Sequence, residues 1–144
     1  RGLGDVYKRQ KEMKFFTIAE LCKSTTADRL GINNRCRQEH VTALTALVDN
    51  VLDPLRTWWG KPITVNSGYR CPELNAAVKG SKTSQHMSGQ AADIDTGDRQ
   101  QNKLLFEHIR KNLPFDQLID ESNFAWVHVS YRADGNNRMQ VLKL

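Results

Sequence analysis

The stretch that decides the architecture is Ser84-Gln85-His86-Met87-Ser88-Gly89-Gln90-Ala91-Ala92-Asp93-Ile94-Asp95. Its first half continues the small, polar run from Gly80 to Gly89, which reads as a loop. Its second half, Ala91 to Asp95, alternates over a few residues and reads as a short strand. Upstream lies the strongest helical pattern. Val41, Leu44, Leu47, Val48, Val51, Leu52 and Leu55 recur at three- and four-residue steps within Glu39 to Trp59. Pro54 is expected to bend that helix or end its regular part. Gly60-Lys61-Pro62 breaks the chain, Ile63-Thr64-Val65 reads as a strand, and Pro72 to Val78 as a brief helix with proline in its first turn. Nearer the start, Thr17 and Glu20 have capping-box spacing for a helix over IAELCKS, followed by a turn at Gly31 to Arg35.

Downstream, Arg99 to Asn112 is expected to be helical, with Leu104, Leu105, His108 and Ile109 on one side. Phe115 to Ile119 and Trp126 to Tyr131 read as strands. The Asp134-Gly135-Asn136-Asn137 turn suggests that 126–142 is a β-hairpin. Helices first, then short strands around one more helix, give an α+β class with a small antiparallel sheet flanked by helices.

The 144 residues suffice for one hydrophobic core, and 39% hydrophobic with 26% charged residues is an ordinary globular balance. Residues 1–14 read as a tail, with 1–10 a candidate cloning remnant, and residues 15–144 as a single domain. No stretch has the ~18 consecutive apolar residues of a membrane span, and the first residues lack a secretory h-region. The formal charge is +5, of which the first ten residues carry +2. The remaining charges are interspersed, without the clustered Lys/Arg that a nucleic-acid groove needs. Cys22, Cys36 and Cys71 are odd in number and have no paired spacing, so they read as thiols of a chain made in a reducing compartment.

Two of the four histidines occupy unusual places: His86 in the quoted loop and His128 in the strand Trp126-Val127-His128-Val129-Ser130. With Asp93, a polar residue on a strand, they make a candidate His₂-carboxylate metal site. Catalytic zinc typically takes three protein ligands and leaves the fourth position to water, and polar strand side chains are costly unless paired or ligating. Asp95 would share the strand face of Asp93, orienting a ligand or a turn. His40 and His108 read as ordinary helix residues. Phe15 and Phe16 read as packing for the first helix, and Trp58, Trp59 and Trp126 as core or groove walls.

Ser84-x-His86-x-x-Gly89-x-Ala91-x-Asp93, with Ser67-Gly68-Tyr69-Arg70 before it and Trp126 to Ser130 after, resembles the SxHxxGxAxD pattern and flanking motifs of the zinc D-Ala-D-Ala carboxypeptidase family. That family of peptidoglycan peptidases includes vancomycin-resistance dipeptidases and phage L-alanyl-D-glutamate endolysins. The match is densest from Ile63 to Tyr131, and FFTIAELCKSTTADRLGI is similar to the opening of small phage-associated members.

The resemblance implies a Hedgehog/DD-peptidase-like fold, a Zn²⁺ cofactor, and metal ligation by His86, Asp93 and His128. It implies that Arg70 binds substrate carboxylate or stabilises developing charge, and that Ser84 hydrogen-bonds substrate or a metal ligand; Ser84 could equally fix its own loop. Zinc would acidify a water and polarise the scissile carbonyl while a carboxylate takes the proton. Many relatives place a glutamate three residues before the last histidine, where this chain has Ala125. Leu118-Ile119-Asp120-Glu121 is similar to an LIxE pattern of phage-type members. Glu121 is therefore the expected general base, with Asp120 as the alternative.

The implied function is zinc-dependent hydrolysis of a peptide bond in peptidoglycan stems, by a carboxypeptidase or a related endopeptidase. The implied partner is the stem peptide, with no nucleic acid, no membrane span and a monomer as the default. Synthesis in the cytoplasm would be followed by phage-mediated release to the wall, or by incorporation in a virion. The alternative is a non-catalytic, zinc-containing wall-binding or phage structural module.

Overall fold

The structure is a computed structural model and describes residues 13–144. Most of the tail expected over 1–14 lies outside the described residues. Its last two residues are tied down: Met13 packs against the core and the Lys14 N–H donates to Asp53 Oδ2 at 3.1 Å.

The helical part comprises α1 (Ile18–Cys22), α2 (Thr25–Leu30), α3 (Gln38–Leu47) and α4 (Asp53–Trp59). α1 begins where the capping-box spacing placed it, with Thr17 Oγ1 accepting from the Glu20 N–H. α2 occupies a stretch between the expected first helix and the Gly31–Arg35 turn, where the sequence pattern predicts no element. Ser24 caps its start, and Gly31, at φ +69°, ends it in the left-handed conformation. The long helix is interrupted by a π-helical turn, Val48–Leu52, where Asp53 N–H bonds to Val48 C=O. Pro54 lacks an N–H and would crowd the carbonyl four residues back, so the wider turn relieves the conflict without a break.

The remaining elements are β1 (Thr64–Ser67), α5 (Pro72–Ala77), a 3₁₀ turn (Gln85–Ser88), β2 (Ala91–Asp95), α6 (Arg99–Asn112), β3 (Gln117–Glu121), β4 (Trp126–Ser130) and β5 (Gln140–Lys143). They form one sheet in the order β1-β2-β4-β3-β5. The first three neighbouring pairs are antiparallel, but β5 runs parallel to β3. The hairpin expected over 126–142 is therefore corrected. Met139 and Gln140 donate to the carbonyls of Phe115 and Asp116, which draws the returning chain to the open edge of β3 rather than back along β4.

Leu44, Leu47, Val48, Val51, Leu52 and Leu55 pack with Leu105 and Ile109 of α6 against one face of the sheet. Ala92, Ile94, Leu118, Val127 and Val129 supply that face, and all of these are buried. Strand side chains alternate, so the opposite face carries Asp93, Ile119, Glu121 and His128. Leu104, expected on the inner side of α6, is 53% exposed, because the buried stripe is Asn102, Leu105, Phe106 and Ile109. Phe16 is buried as expected, whereas Phe15 is exposed beneath the Arg56 guanidinium. Among the described residues no helix is long and apolar enough to cross a membrane.

The cysteine expectation is also corrected. Cys22 and Cys36 form a disulfide, Cα–Cα 6.5 Å, and only Cys71 is a free thiol. α2 and the loop after Gly31 bring two cysteines 14 residues apart together, and Asn34 in that loop donates to the carbonyls of both Cys22 and Tyr69. An odd count therefore does not argue for a reducing compartment.

Candidate metal centre

His86 is fixed from four directions. Ser84 Oγ caps the 3₁₀ turn by accepting the His86 N–H at 3.2 Å, and Gly89 closes the turn at φ +74°. The His86 carbonyl accepts from Arg70 N–H, and its Nδ1 lies 2.7 Å from the Gly68 carbonyl. A carbonyl can only accept, so Nδ1 carries the proton and Nε2 presents a lone pair. Gly68 is required here, because a Cβ at this position would lie 2.1 Å from the Leu21 carbonyl oxygen.

His86 is 1% exposed, and its Nε2 is buried without a hydrogen-bond partner. That atom sits 3.3 Å from Asp93 Oδ1, and His128 Nδ1 sits 3.0 Å from the same oxygen. Asp93 and His128 face each other directly across β2 and β4. Ligand atoms of the three residues all lie within 4.8 Å of one another. A buried imidazole lone pair aimed at a carboxylate is repulsive unless a cation lies between them. Burial pushes the Asp93 carboxyl up, but the hydrogen bond with His128 pulls it down, and the carboxyl ends well below the usual carboxylate range. Two imidazole nitrogens and one carboxylate, beside an open cleft, form a donor set suited to a catalytic metal.

The cleft over this trio has a volume of about 630 Å³ and includes Arg70, Ser84, Glu121 and Arg132 in its lining. Arg70 Nη2 stands 3.8 Å from Asp93 Oδ2, while Nε donates to Ser67 and Nη1 to Asn75. Glu121 ends β3 opposite Trp126, two residues along from Ile119, which pairs with His128. Its carboxyl is raised above its ordinary value, first by burial and next by the negative charge of Asp93. Asp120 points to the other face, is 4% exposed, and spends Oδ1 on the Phe124 N–H at 2.6 Å. Of the two candidate acids, only Glu121 shares the cleft with the trio.

Residues 14–130 match the family model described as Peptidase M15. The chain belongs to the peptidase M15 family. It is also 38% identical over 94 residues to the zinc D-Ala-D-Ala carboxypeptidase of Streptomyces albus G. That match spans 58% of this chain and 32% of the relative's length. The α+β architecture and the peptidase family expected from the motifs are both as found.

Several residues that build the site carry no motif signal. Asn75, buried on α5, accepts from Arg70 and donates to the Ser81 carbonyl, tying the guanidinium to the 80–85 loop. Ser122, Asn123 and Phe124 all have positive φ in the turn directly after Glu121. Arg99 Nη1 donates to the carbonyls of Ser122 and Asn123, and Asn102 Nδ2 to that of Phe124. This grip offsets the strain of three left-handed residues. Asp95 is engaged by Asn102 and the Gly97 N–H, so it builds a turn rather than touching the trio. His40 and His108 stack on Tyr69 and Trp58, away from the site.

Proposed function

We propose that this protein is a zinc metallopeptidase that hydrolyses a peptide bond in peptidoglycan stem peptides, with His86, Asp93 and His128 as the metal ligands. The observation carrying this reading is the buried, partnerless Nε2 of His86, facing Asp93 and His128 inside an open cleft. Membership of a peptidase family and the name of the Streptomyces albus G relative support the metal and the substrate class. Zinc held there would supply Lewis acidity to a scissile carbonyl and lower the pKa of a water.

The chain's own residues do the rest. Glu121, which lines the cleft with the trio, would take a proton from a nucleophilic water and return it to the leaving amine. Its desolvated surroundings make it a stronger base than an exposed glutamate. Arg70 offers its Nη2 edge to a substrate carboxylate or a developing oxyanion, and Ser67 and Asn75 restrain the guanidinium beforehand. Ser84 Oγ accepts the His86 N–H and so holds the ligand loop, which leaves its O–H free to donate to substrate in the cleft. Action at the cell wall follows from the substrate class, with release by a phage lysis system or carriage on a virion as the route.

The test is a digest of purified peptidoglycan and synthetic stem peptides, read by mass spectrometry, with metal stripped and then restored. A product that vanishes with chelator and returns with zinc is expected. No cleavage of any stem peptide despite bound zinc would overturn the reading in favour of a non-catalytic wall-binding module.

A further inference from the structure

The cleft contains a second group of cations, at the end of β3 away from Glu121. Asp116, fully buried just before β3, is its anchor. Its Oδ1 accepts from the N–H and Nε of Arg138 at 2.9 and 3.0 Å. Its Oδ2 accepts from Arg138 Nη2 at 2.7 Å and Gln85 Nε2 at 2.9 Å. Two carboxylate oxygens offer about four acceptor sites, and these four donors fill them. Arg132, whose Nε lies 3.3 Å from Oδ2, is therefore surplus to the needs of the buried acid. Two guanidinium charges against one carboxylate leave one positive charge in excess.

Arg132 is also held ready. Its backbone N–H donates to Asn137 Oδ1 at 2.7 Å and its carbonyl accepts from Asn137 Nδ2 at 3.3 Å. Its side chain is 38% exposed, lines the same cleft as the His86–Asp93–His128 trio, and its terminal nitrogens have no partner among the described residues. Along β3, Asp116 precedes Ile119, the strand partner of His128, by three residues, roughly 10 Å at strand spacing. An extended peptide covers that distance in about three residues.

We infer that Arg132, backed by Arg138 and Asp116, forms a second carboxylate subsite that receives an acidic group of the substrate peptide about three residues from the scissile bond. The inference rests on the peptidase reading above and narrows its substrate to peptides with two carboxylates, one at Arg70 and one at Arg132. Converting the second carboxylate to an amide therefore weakens the substrate, and the penalty depends on Arg132.

The test uses synthetic stem peptides in which each carboxylate is amidated in turn, measured with the zinc-loaded wild type, Arg132→Ala and Arg132→Lys. Equilibrium binding is read by calorimetry and turnover as KM and kcat. One amidation should weaken binding about tenfold, the scale of one charge-assisted hydrogen bond, chiefly in KM. Arg132→Ala should bring the acid-to-amide ratio close to one, and Arg132→Lys should restore much of it. Arg132→Ala leaves the four bonds to Asp116 in place, and circular dichroism checks its fold. The inference is overturned if Arg132→Ala weakens acid and amide forms equally, or if the wild type does not distinguish them. Failure of all peptides to be cut would instead count against the peptidase reading, while the calorimetric ratio would still decide the subsite.

Discussion

Replacing Gly68 by alanine tests how the fold holds His86. The added Cβ would lie 2.1 Å from the Leu21 carbonyl oxygen, 2.9 Å from its carbon and 3.1 Å from its Cα. All three are backbone atoms, so no side chain can swing aside, and the gap must open by roughly 1 Å to reach ordinary contact. Leu21 is fully buried and its carbonyl accepts the Tyr69 N–H at 2.8 Å. Overpacking a tight core costs about 1–3 kcal/mol, and losing the Tyr69 bond about 1 more, which gives a destabilisation of about 2–4 kcal/mol. The same displacement moves the Gly68 carbonyl off His86 Nδ1, so zinc affinity should fall about tenfold or more. Denaturant unfolding of the metal-free protein measures the first effect and chelator competition the second. A variant within about 0.5 kcal/mol of wild type, the scale of an innocuous substitution, and with unaltered zinc affinity would refute the reasoning.

Other substitutions separate the remaining roles. Glu121→Gln should lower kcat by roughly 10²–10⁴ with zinc content preserved, whereas Asp120→Asn should reduce stability with a much smaller effect on kcat; the reverse order would move the base to Asp120. The Asp116 carboxyl is held well below the usual range, first by its hydrogen bonds to Arg138. A depressed pKa contributes stability above the unfolded carboxyl's range, so that contribution should be present at pH 7 and decline as pH falls below about 4. Asp116→Asn should therefore melt several degrees lower at pH 7 yet show a shallower loss in acid, as followed by thermal melts across pH. Converting Cys22 and Cys36 together to serine should cost about 3 kcal/mol for a loop of this length, measured by denaturant unfolding under oxidising conditions.

The legibility of the chain divides along physical lines. His86, Asp93 and His128 are legible through the resemblance of the 84–93 run and the Trp126–Ser130 strand to a known pattern, and the period-2 register then sets Asp93 and His128 on one face. The same alternation separates Glu121 from Asp120, but applying it requires knowing which face of β3 the helices cover, and both ends of the strand lie among polar residues. The Cys22–Cys36 bridge and the parallel β5 were hidden for another reason. Both depend on chain reversals whose partners are distant. Asp134 to Asn137 reads as a hairpin turn until Phe115 and Asp116 capture Arg138, Met139 and Gln140 beyond it. Asn75, Arg99 and Asn102 act by hydrogen-bonding backbone or a neighbouring side chain, which leaves no periodic trace in sequence.

The most direct test of the central claim is a crystal of the zinc-loaded protein, measured on both sides of the zinc absorption edge. The account predicts one strong anomalous peak among His86, Asp93 and His128, with Glu121 and Arg70 lining the same cleft. No peak among these three residues, or His86 turned so that Nδ1 leaves Gly68 to face the ion, would contradict it.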